Sequence, residues 1–441
     1  LLPRDTAGVE IGRRHFPLNS TFQNGPIRGK DVFIPLTQLI GGAAMAGKGW
    51  NMLNECLAVG RSITLPSTAS GGAKAGAAVT GAYARIRKQF GLSVGRFEGV
   101  EEALARIGGK AYKISALSQA TAAAVDRGDV PSVPSAIAKY HCTNMSREVI
   151  ADVMDVIGGK GIILGPRNFA GRSWQAAPIA ITVEGANIMT RSLLIFGQGA
   201  ILCHPWVLKE MKAAQDPDRK AGLEEFDRSL FGHIRYGISN AVRSFWFGLT
   251  GARFGAAPGD EYTRRYFRKL DRYSANLALM ADISMMTLGG KLKFKESLSG
   301  RLGDVLSHVY MTSAMLKRYH DEGAPQADQP LLAWAFHDSV HKIEESLSAA
   351  LRNFPIRPIG WLMWALIFPL GRRAEAPGDR LSRRVAALLM SPNEARDRLS
   401  QGVFLTPCEN NPGGRINSYL AKAIMAEPVE RKFLKALKSK G

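Results

Sequence analysis

From about residue 43 to 205 the apolar residues recur at three- and four-residue steps, a spacing that limits this stretch to long amphipathic helices packed side by side. Leu104, Ile107, Ala111, Ile114 and Leu117 mark one helical face, and Met145, Val149, Ile150, Val153, Val156 and Ile157 mark another behind a start and cap at Pro134 and Ser135. An earlier helix, from about Gly49 to Phe90, carries Pro66, which is expected to bend or divide it. Short links between such helices favour an antiparallel bundle. Beyond about residue 206 the chain stays helical, with a stripe of Leu302, Val305, Leu306, Val309 and Leu316, and with loops expected near 323–330, 353–360 and 374–380.

Residues 1–42 read differently, as strands and turns. The run DVFIPL, Asp31 to Leu36, is β-prone, and Gly41 with Gly42 closes the segment. One or two strands do not make a stable sheet unaided, so this piece is expected to be the end of a β-domain whose beginning lies elsewhere. The chain opens at Leu1 without Met and reads as part of a longer protein. The expected fold is mainly α: a partial β-domain over 1–42, a helical bundle over 43–205 and a helical extension over 206–441. At 441 residues there is room for two or three domains, each with its own core.

Lys and Arg number 58 against 38 Asp and Glu, a net charge of +20, and such a surface answers to nucleic acid, an anionic membrane face or a phosphate-rich ligand. Four cysteines, Cys56, Cys142, Cys203 and Cys408, stand far apart with no CxxC pair, which removes metal-ligand spacing and a disulfide framework and fits a reducing cytoplasm. No run of 18 apolar residues occurs. The longest, Ile359 to Leu370, holds Trp361 and Trp364 between Arg357 and Arg372–Arg373; it suits a membrane interface, or a buried helix ending in a turn at Pro369.

Chemistry concentrates between Asp155 and His204. Gly158, Gly159 and Gly161 allow positive φ and close backbone approach, either to end a helix or to offer amides to a pyrophosphate. Glu184 is the one carboxylate between Asp155 and Glu210, and its neighbours in sequence are Ile179, Ile181, Val183, Ile188 and Met189. Apolar surroundings disfavour the charged form and suit a general base working near neutrality; the alternative is an inert carboxylate at a helix N-terminus.

These elements resemble one family. Glu184-Gly185, placed after the Gly-Gly-x-Gly turn and before a terminal bundle helix, is similar to the catalytic region of acyl-coenzyme A dehydrogenases. Arg87-Lys88-Gln89-Phe90-Gly91 resembles that family's Arg-x-x-Phe-Gly element, and DVFIPLTQLIGG followed by GKGW resembles the passage from its middle β-domain into its helical domain. SFWFGLTGA, GRLGDVL, YHDEG and NFPIRPIG resemble the large bacterial fatty acyl-coenzyme A dehydrogenases, which carry a further helical region.

The resemblance implies FAD as cofactor and α,β-dehydrogenation of a medium- or long-chain fatty acyl-coenzyme A to the trans-2-enoyl thioester, the first step of fatty acid β-oxidation. Glu184 would take the α-proton while a hydride passes to the flavin, and the amide beside it, at Gly185, would help hold the thioester oxygen. Arg87 and Phe90 match flavin-contacting positions that reach a neighbouring subunit's FAD. Gly158, Gly159 and Gly161 match the turn against the adenosine pyrophosphate, and Arg61 matches a coenzyme A-binding arginine. Gly60, not a carboxylate, precedes Arg61, so the alternative base position used by some relatives is absent here. The chain departs from the pattern at Ala186, Asn187 and Ile188, where the family has Thr and then Gln, and at Glu98.

The resemblance also implies a homo-oligomer and an electron-transfer flavoprotein as acceptor; the cysteine pattern fits a bacterial cytoplasm, and the charge surplus allows association at the inner face of the plasma membrane. Related alternatives are an acyl-coenzyme A oxidase and an inactive membrane-surface scaffold. Two further clusters stand out. His337 and His341, with Asp338 and Glu345 nearby, could hold a metal but lack a third placed ligand, so no metal is expected. Arg264, Arg265, Arg268, Lys269 and Arg272 alternate with Tyr262, Tyr266, Phe267 and Tyr273 as in a nucleic-acid surface, an amphipathic helix or a lipid-facing patch; nucleic acid is not expected.

Overall fold

The computed structural model describes residues 1–21, 24–255 and 257–438, with a few side chains inside helices, Cys203 among them, left outside the description. Strands β1 (Val9–Ile11) and β2 (Ile27–Gly29) pair antiparallel as a lone hairpin. No described residue of 1–42 is buried. The Asp31–Leu36 run forms no strand and pairs with none among the described residues; Leu36–Gln38 is instead a single 3-10 turn.

Three long helices follow: α1 (Gly49–Ile86), α2 (Glu98–Asp126) and α3 (Ser132–Ile157). Between α1 and α2 a two-residue hairpin joins β3 (Lys88–Gln89) to β4 (Leu92–Ser93). After α3 come α4 (Gly159–Ile162), α5 (Gly171–Thr182), α6 (Asn187–Met189), a π-helical stretch Thr190–Gln198 and α7 (Gly199–Cys203). The extension contributes α8 (Val207–Ala214), α9 (Arg219–Thr250), α10 (Arg264–Leu288), α11 (Glu296–Asp321) and α12 (Gln329–Arg352). It ends with α13 (Arg357–Ile367), α14 (Asp379–Leu389), α15 (Glu394–Leu399), α16 (Pro412–Ser418) and α17 (Leu420–Lys438).

The α2 stripe lies at the centre: Leu104, Ile107, Ala111, Ile114 and Leu117 have no solvent access. One continuous apolar core runs from Ala69 to Leu399, so bundle and extension share it rather than each burying its own. Close approach is achieved with glycine. A Cβ on Gly109 would fall 1.8 Å from Trp334 of α12, and one on Gly81 would fall 2.3 Å from the Leu389 carbonyl of α14. Buried ion pairs cross the same boundary: Lys113 Nζ meets Asp338 at 2.6 Å, and Arg191 clasps Asp304 through two nitrogens. Loops expected near 323–330 and 353–360 are shorter than predicted, since α12 and α13 begin inside them. Pro330 and Pro358 occupy first helical turns, where a missing N–H leaves no bond unmade. Pro134 does the same in α3, which starts at Ser132.

Pro66 does not divide α1, which is assigned as one 38-residue helix. Proline deprives the carbonyl four residues back of its donor. Here that carbonyl, Ser62 O, has the buried Thr121 hydroxyl of α2 at 3.0 Å, a donor it shares with Leu117 O and Ser118 O at 3.1 Å. Thr121→Val should therefore cost about 1–2 kcal/mol in urea unfolding, the penalty for an unpaired buried carbonyl. The same change in a Pro66→Ala background, where the helix supplies its own N–H, should cost clearly less. Equal costs in both backgrounds would disprove the pairing.

Candidate active site

The residues singled out in the sequence fall into two groups at opposite ends of α1. Arg61 and Arg87 are roughly 40 Å apart along that helix at 1.5 Å per residue. Glu184, Gly185 and Arg61 gather at its N-terminal half; Arg87, Phe90, Gly158, Gly159 and Gly161 gather at its C-terminal end.

Glu184 lies in the turn between α5 and α6. Its φ of 56° and the 90° of Gly185 make two consecutive left-handed residues, a conformation that costs a non-glycine roughly 1–3 kcal/mol and persists only where the surroundings enforce it. The enforcing group is Lys139 of α3. Its ammonium, without solvent access, donates to Gly185 O and to Asn187 Oδ1, each at 2.7 Å. Asn187 in turn donates to Thr143 Oγ1 at 3.0 Å. Burial, with Arg61 adding to it, pushes Lys139 down to about 8.

The carboxylate is not wrapped by its apolar sequence neighbours; Ile188 and Met189 are exposed. Its company comes from α1 instead. The Thr64 hydroxyl lies between two acceptors, Gly60 O at 2.9 Å in its own helix and Glu184 Oε1 at 3.2 Å, and Glu184 Oε2 is buried with no hydrogen-bond partner among the described residues. Arg61 is half-buried, pulled down by desolvation and back up by Glu184, and its Nε is likewise buried and unpartnered. A Cβ on Gly185 would sit 3.5 Å from Arg61 Nη2, so the guanidinium lies directly over this turn.

One helical turn from Thr64 and Glu184 begins a cavity of about 440 Å³ between α1, α3 and α5. Its walls are small or apolar: Leu65, Gly72, Val149, Ala177 and Ala180, with Val403–Leu405 of the extension closing one side.

At the other end, the Arg-x-x-Phe-Gly element is the β3–β4 hairpin. Phe90 (φ 50°) and Gly91 (φ 77°) form its turn, and the Phe90 ring is 93 % exposed. The Tyr83 hydroxyl donates to Ile157 O at 3.3 Å, tying the last turn of α1, just before this hairpin, to the glycine turn. Gly158 has φ +56°, and a Cβ on Gly158 or Gly159 would meet nothing within 4 Å. Gly161 differs: it is buried, and its Cβ would meet Met154 Sδ at 2.9 Å and Ile157 Cδ1 at 3.0 Å, so it serves packing. Asn168 shapes the turn, donating to Gly161 O and accepting from the Ala170 and Gly171 amides. Arg87 and Lys160 line an adjoining opening of about 630 Å³. Bare backbone, cations and an exposed ring fit a ligand with phosphates and a flat aromatic part.

The remaining clusters are structural. His341 pairs with Ala374 O and Glu345, and burial lowers His337. His204, His233 and Asp282 do converge, but His204 Nδ1 accepts the Trp206 and Val207 amides, so its Nε2 carries the proton given to Asp282 at 2.6 Å and has no lone pair for a metal. In the basic–aromatic cluster, Tyr266 and Tyr273 are buried, and Tyr262 and Phe267 are partly buried. The Ile359–Leu370 segment is a half-buried helix: Met363 and Ile367 face the core, and Trp361 and Leu362 face solvent.

Residues 201–441 match the family described as acyl-CoA dehydrogenase, C-terminal, bacterial type, and residues 47–195 match the acyl-CoA dehydrogenase C-terminal domain. The chain belongs to the bacterial-type acyl-coenzyme A dehydrogenase family. Its fold is similar to an acyl-CoA dehydrogenase from Bacillus anthracis complexed with FAD, at 16% identity and TM-score 0.65 over 88% of this chain and 64% of that one. It is similar also to acyl-CoA oxidase-1 from Caenorhabditis elegans complexed with FAD and ATP (15%, TM-score 0.57, 99% and 65%) and to acyl-CoA oxidase3 from Yarrowia lipolytica (14%, 0.58, 95% and 60%). A curated protein of Proteus mirabilis, Protein HemX, is 65% identical over 82 residues, 19% of this chain and 48% of that protein. The chain thus spans about half of that relative and under two thirds of these solved chains.

Lys139 offers a test of the site's electrostatics. Its folded value near 8 lies below the ordinary 10.5, so between those pH values the unfolded chain holds more protons and stability rises with pH. Lys139→Met should flatten the rise of the urea midpoint between pH 8 and 10.5, leaving the share that comes from buried Lys113, which also sits at about 8. An unchanged slope would show that the Lys139 ammonium is not desolvated.

Proposed function

We propose that this chain forms the proton-abstracting part of a flavin-dependent acyl-coenzyme A dehydrogenase acting on medium- and long-chain saturated acyl thioesters. The observation that carries the proposal is the Glu184 carboxylate, strained into a left-handed turn, with Oε1 beside the Thr64 hydroxyl and Oε2 buried without a partner among the described residues. A buried acceptor left open is costly unless a substrate C–H or water meets it.

Glu184 takes the α-proton: the C–H bond breaks, a carboxyl O–H forms, and the released electron pair becomes part of the new Cα–Cβ double bond. The α-carbon is far too weakly acidic for a carboxylate unless the thioester oxygen is polarised, and in this reading the Gly185 amide donates to it. Arg61 above Gly185 offers a cation to an anionic coenzyme A moiety. FAD, when bound, accepts the hydride leaving the β-carbon. The groove between α1, α3 and α5 suits an extended hydrocarbon tail.

Arg87, Phe90, Gly158 and Gly159 lie too far from Glu184 to serve the same flavin, so they are assigned to the cofactor of a neighbouring subunit in a homo-oligomer, with Arg87 meeting phosphate and Phe90 the flat ring. An electron-transfer flavoprotein is the acceptor proposed for the reduced cofactor.

In the complete protein, Glu184→Gln should bind FAD normally and slow acyl-coenzyme A-dependent flavin bleaching about 10²–10⁴-fold, the usual share of a general base. Bleaching at the wild-type rate rejects the base assignment, and oxygen uptake matching turnover would indicate an oxidase. Gly72→Leu, which enters the groove with nothing within 4 Å of its Cβ, should lower kcat/KM for a sixteen-carbon thioester about tenfold or more while sparing a four-carbon one. Equal loss on both substrates would remove the groove from the acyl path.

A further inference from the structure

The extension carries an apolar face that the rest of the chain leaves uncovered. Helix α9 is capped at Asp218, whose side chain accepts from the Lys220 and Ala221 amides, and it ends on left-handed Gly251. Its buried positions are mostly small or polar: Gly222, Ser229, Asn240, Ser244 and Gly248, with Phe247. The large apolar residues point the other way. Phe231, Ile234, Ile238, Val242, Trp246 and Leu249 follow one another at three- and four-residue steps, each more than a third exposed. The stripe continues past the helix through Phe254, whose ring stacks on Trp246 at 6.0 Å. Gly248 packs against Pro369, which sets this end of α9 beside α13 with its exposed Trp361 and Leu362. A contiguous patch of this kind on a globular protein marks a contact surface.

Its charge says what the contact is with. Between Asp227 and Asp260 there is no acidic residue, and the cations are Arg228, Arg235, Arg243 and Arg253. Between Glu345 and Glu375 there is again none, and the cations are Arg352, Arg357, Arg372 and Arg373. Arg243 is tied to Asp271 and Arg228 to Glu225; Arg235, Arg253, Arg357, Arg372 and Arg373 are exposed. The acids of α9, Glu224, Glu225 and Asp227, are confined to its first three turns, ahead of the apolar stripe. Nucleic acid would meet the arginines but leave the aliphatic stripe wet. A surface that takes both together has acyl chains beneath anionic headgroups, with Trp at the boundary.

We propose that α9, with the adjoining α13 and the Arg372–Arg373 turn, is a docking face for an anionic phospholipid bilayer, on which α9 lies in the plane of the interface. No single helix among the described residues is long and apolar enough to cross a membrane; one helix pair, bent by 50° around Glu184–Gly185, passes that test jointly. The docking face involves neither helix of that pair, and it does not depend on the chemistry assigned to Glu184.

The test is flotation of the 441-residue chain with phosphatidylcholine vesicles, with and without one third phosphatidylglycerol, at 0.1 and 0.5 M salt. The chain should float with the anionic vesicles at low salt and bind them at least tenfold more weakly at high salt or without phosphatidylglycerol. The exposed pair Ile238→Asp with Val242→Asp should cut binding at least tenfold with an unchanged circular dichroism spectrum. Arg235→Gln with Arg253→Gln should weaken it about fivefold per arginine removed and spare the apolar stripe. Absence of flotation, equal binding to neutral vesicles, or full binding by both double variants would overturn the proposal. So would a drop in the sedimentation coefficient of the lipid-free chain on Ile238→Asp with Val242→Asp, since the face would then be a contact between copies.

Discussion

The Lys139 ammonium, sealed from water, connects the bundle to the turn that carries Glu184. It gives two hydrogen bonds, to Gly185 O and Asn187 Oδ1, and both acceptors belong to the same short link between α5 and α6. A cation buried against neutral oxygens is costly, and the cost appears as its lowered pKa. It fixes the position of a backbone that would otherwise relax from two successive left-handed residues. Glu184 therefore reaches α1 because α3 pulls its turn inward, while Thr64 and Arg61 determine what the carboxylate meets there.

Helix α1 imposes the larger geometry. With Ser62 O supported by Thr121, it runs unbroken past Pro66 and carries Arg61 and Thr64 near one end and the Phe90 hairpin just beyond the other. Two groups of the residues singled out in the sequence therefore lie far apart along one helix. The apolar groove occupies the interval between them, and its outer wall, Val403–Leu405, is supplied by the extension. That wall is firmly anchored: the buried Arg396 guanidinium donates to Ala78 O of α1 and Leu389 O of α14, and Arg398 holds Asp328 at 2.7 Å. Residues beyond 206 thus complete a surface that begins with α1.

How much of this was legible in the sequence depended on how local the signal was. The α2 stripe follows from a 3.6-residue period, and every predicted member is buried. Glu184, Gly185 and Arg61 were identified through motif order, and they meet in space. Thr64, Lys139 and Asn168 were missed: a lone Thr, Lys or Asn carries no period, and each matters through a partner distant in the fold or through a turn it organises. The Asp31–Leu36 run misled because β-propensity without an adjacent strand specifies nothing. Proline misled in the opposite direction at Pro66, Pro330 and Pro358, where a neighbouring hydroxyl or a first-turn position removes the penalty. The apolar run around Glu184 predicted a dry pocket, yet Ile188 faces water and the carboxylate's neighbours come from α1.

The surplus of twenty positive charges also becomes intelligible in three dimensions. Several cations are internal, and those have fixed partners: Lys113 with Asp338, Lys139 with Gly185 O and Asn187, Arg396 with carbonyls. Such groups determine packing and do not shape the outer field. What remains is uneven, because two acid-free segments far apart in sequence, residues 228–259 and 346–374, come together where α9 packs on α13. Charge spread evenly for solubility would not leave both segments without a carboxylate while also exposing a run of large apolar side chains along one of them. The coincidence of both features on one face is a property of the fold, and composition alone contains neither.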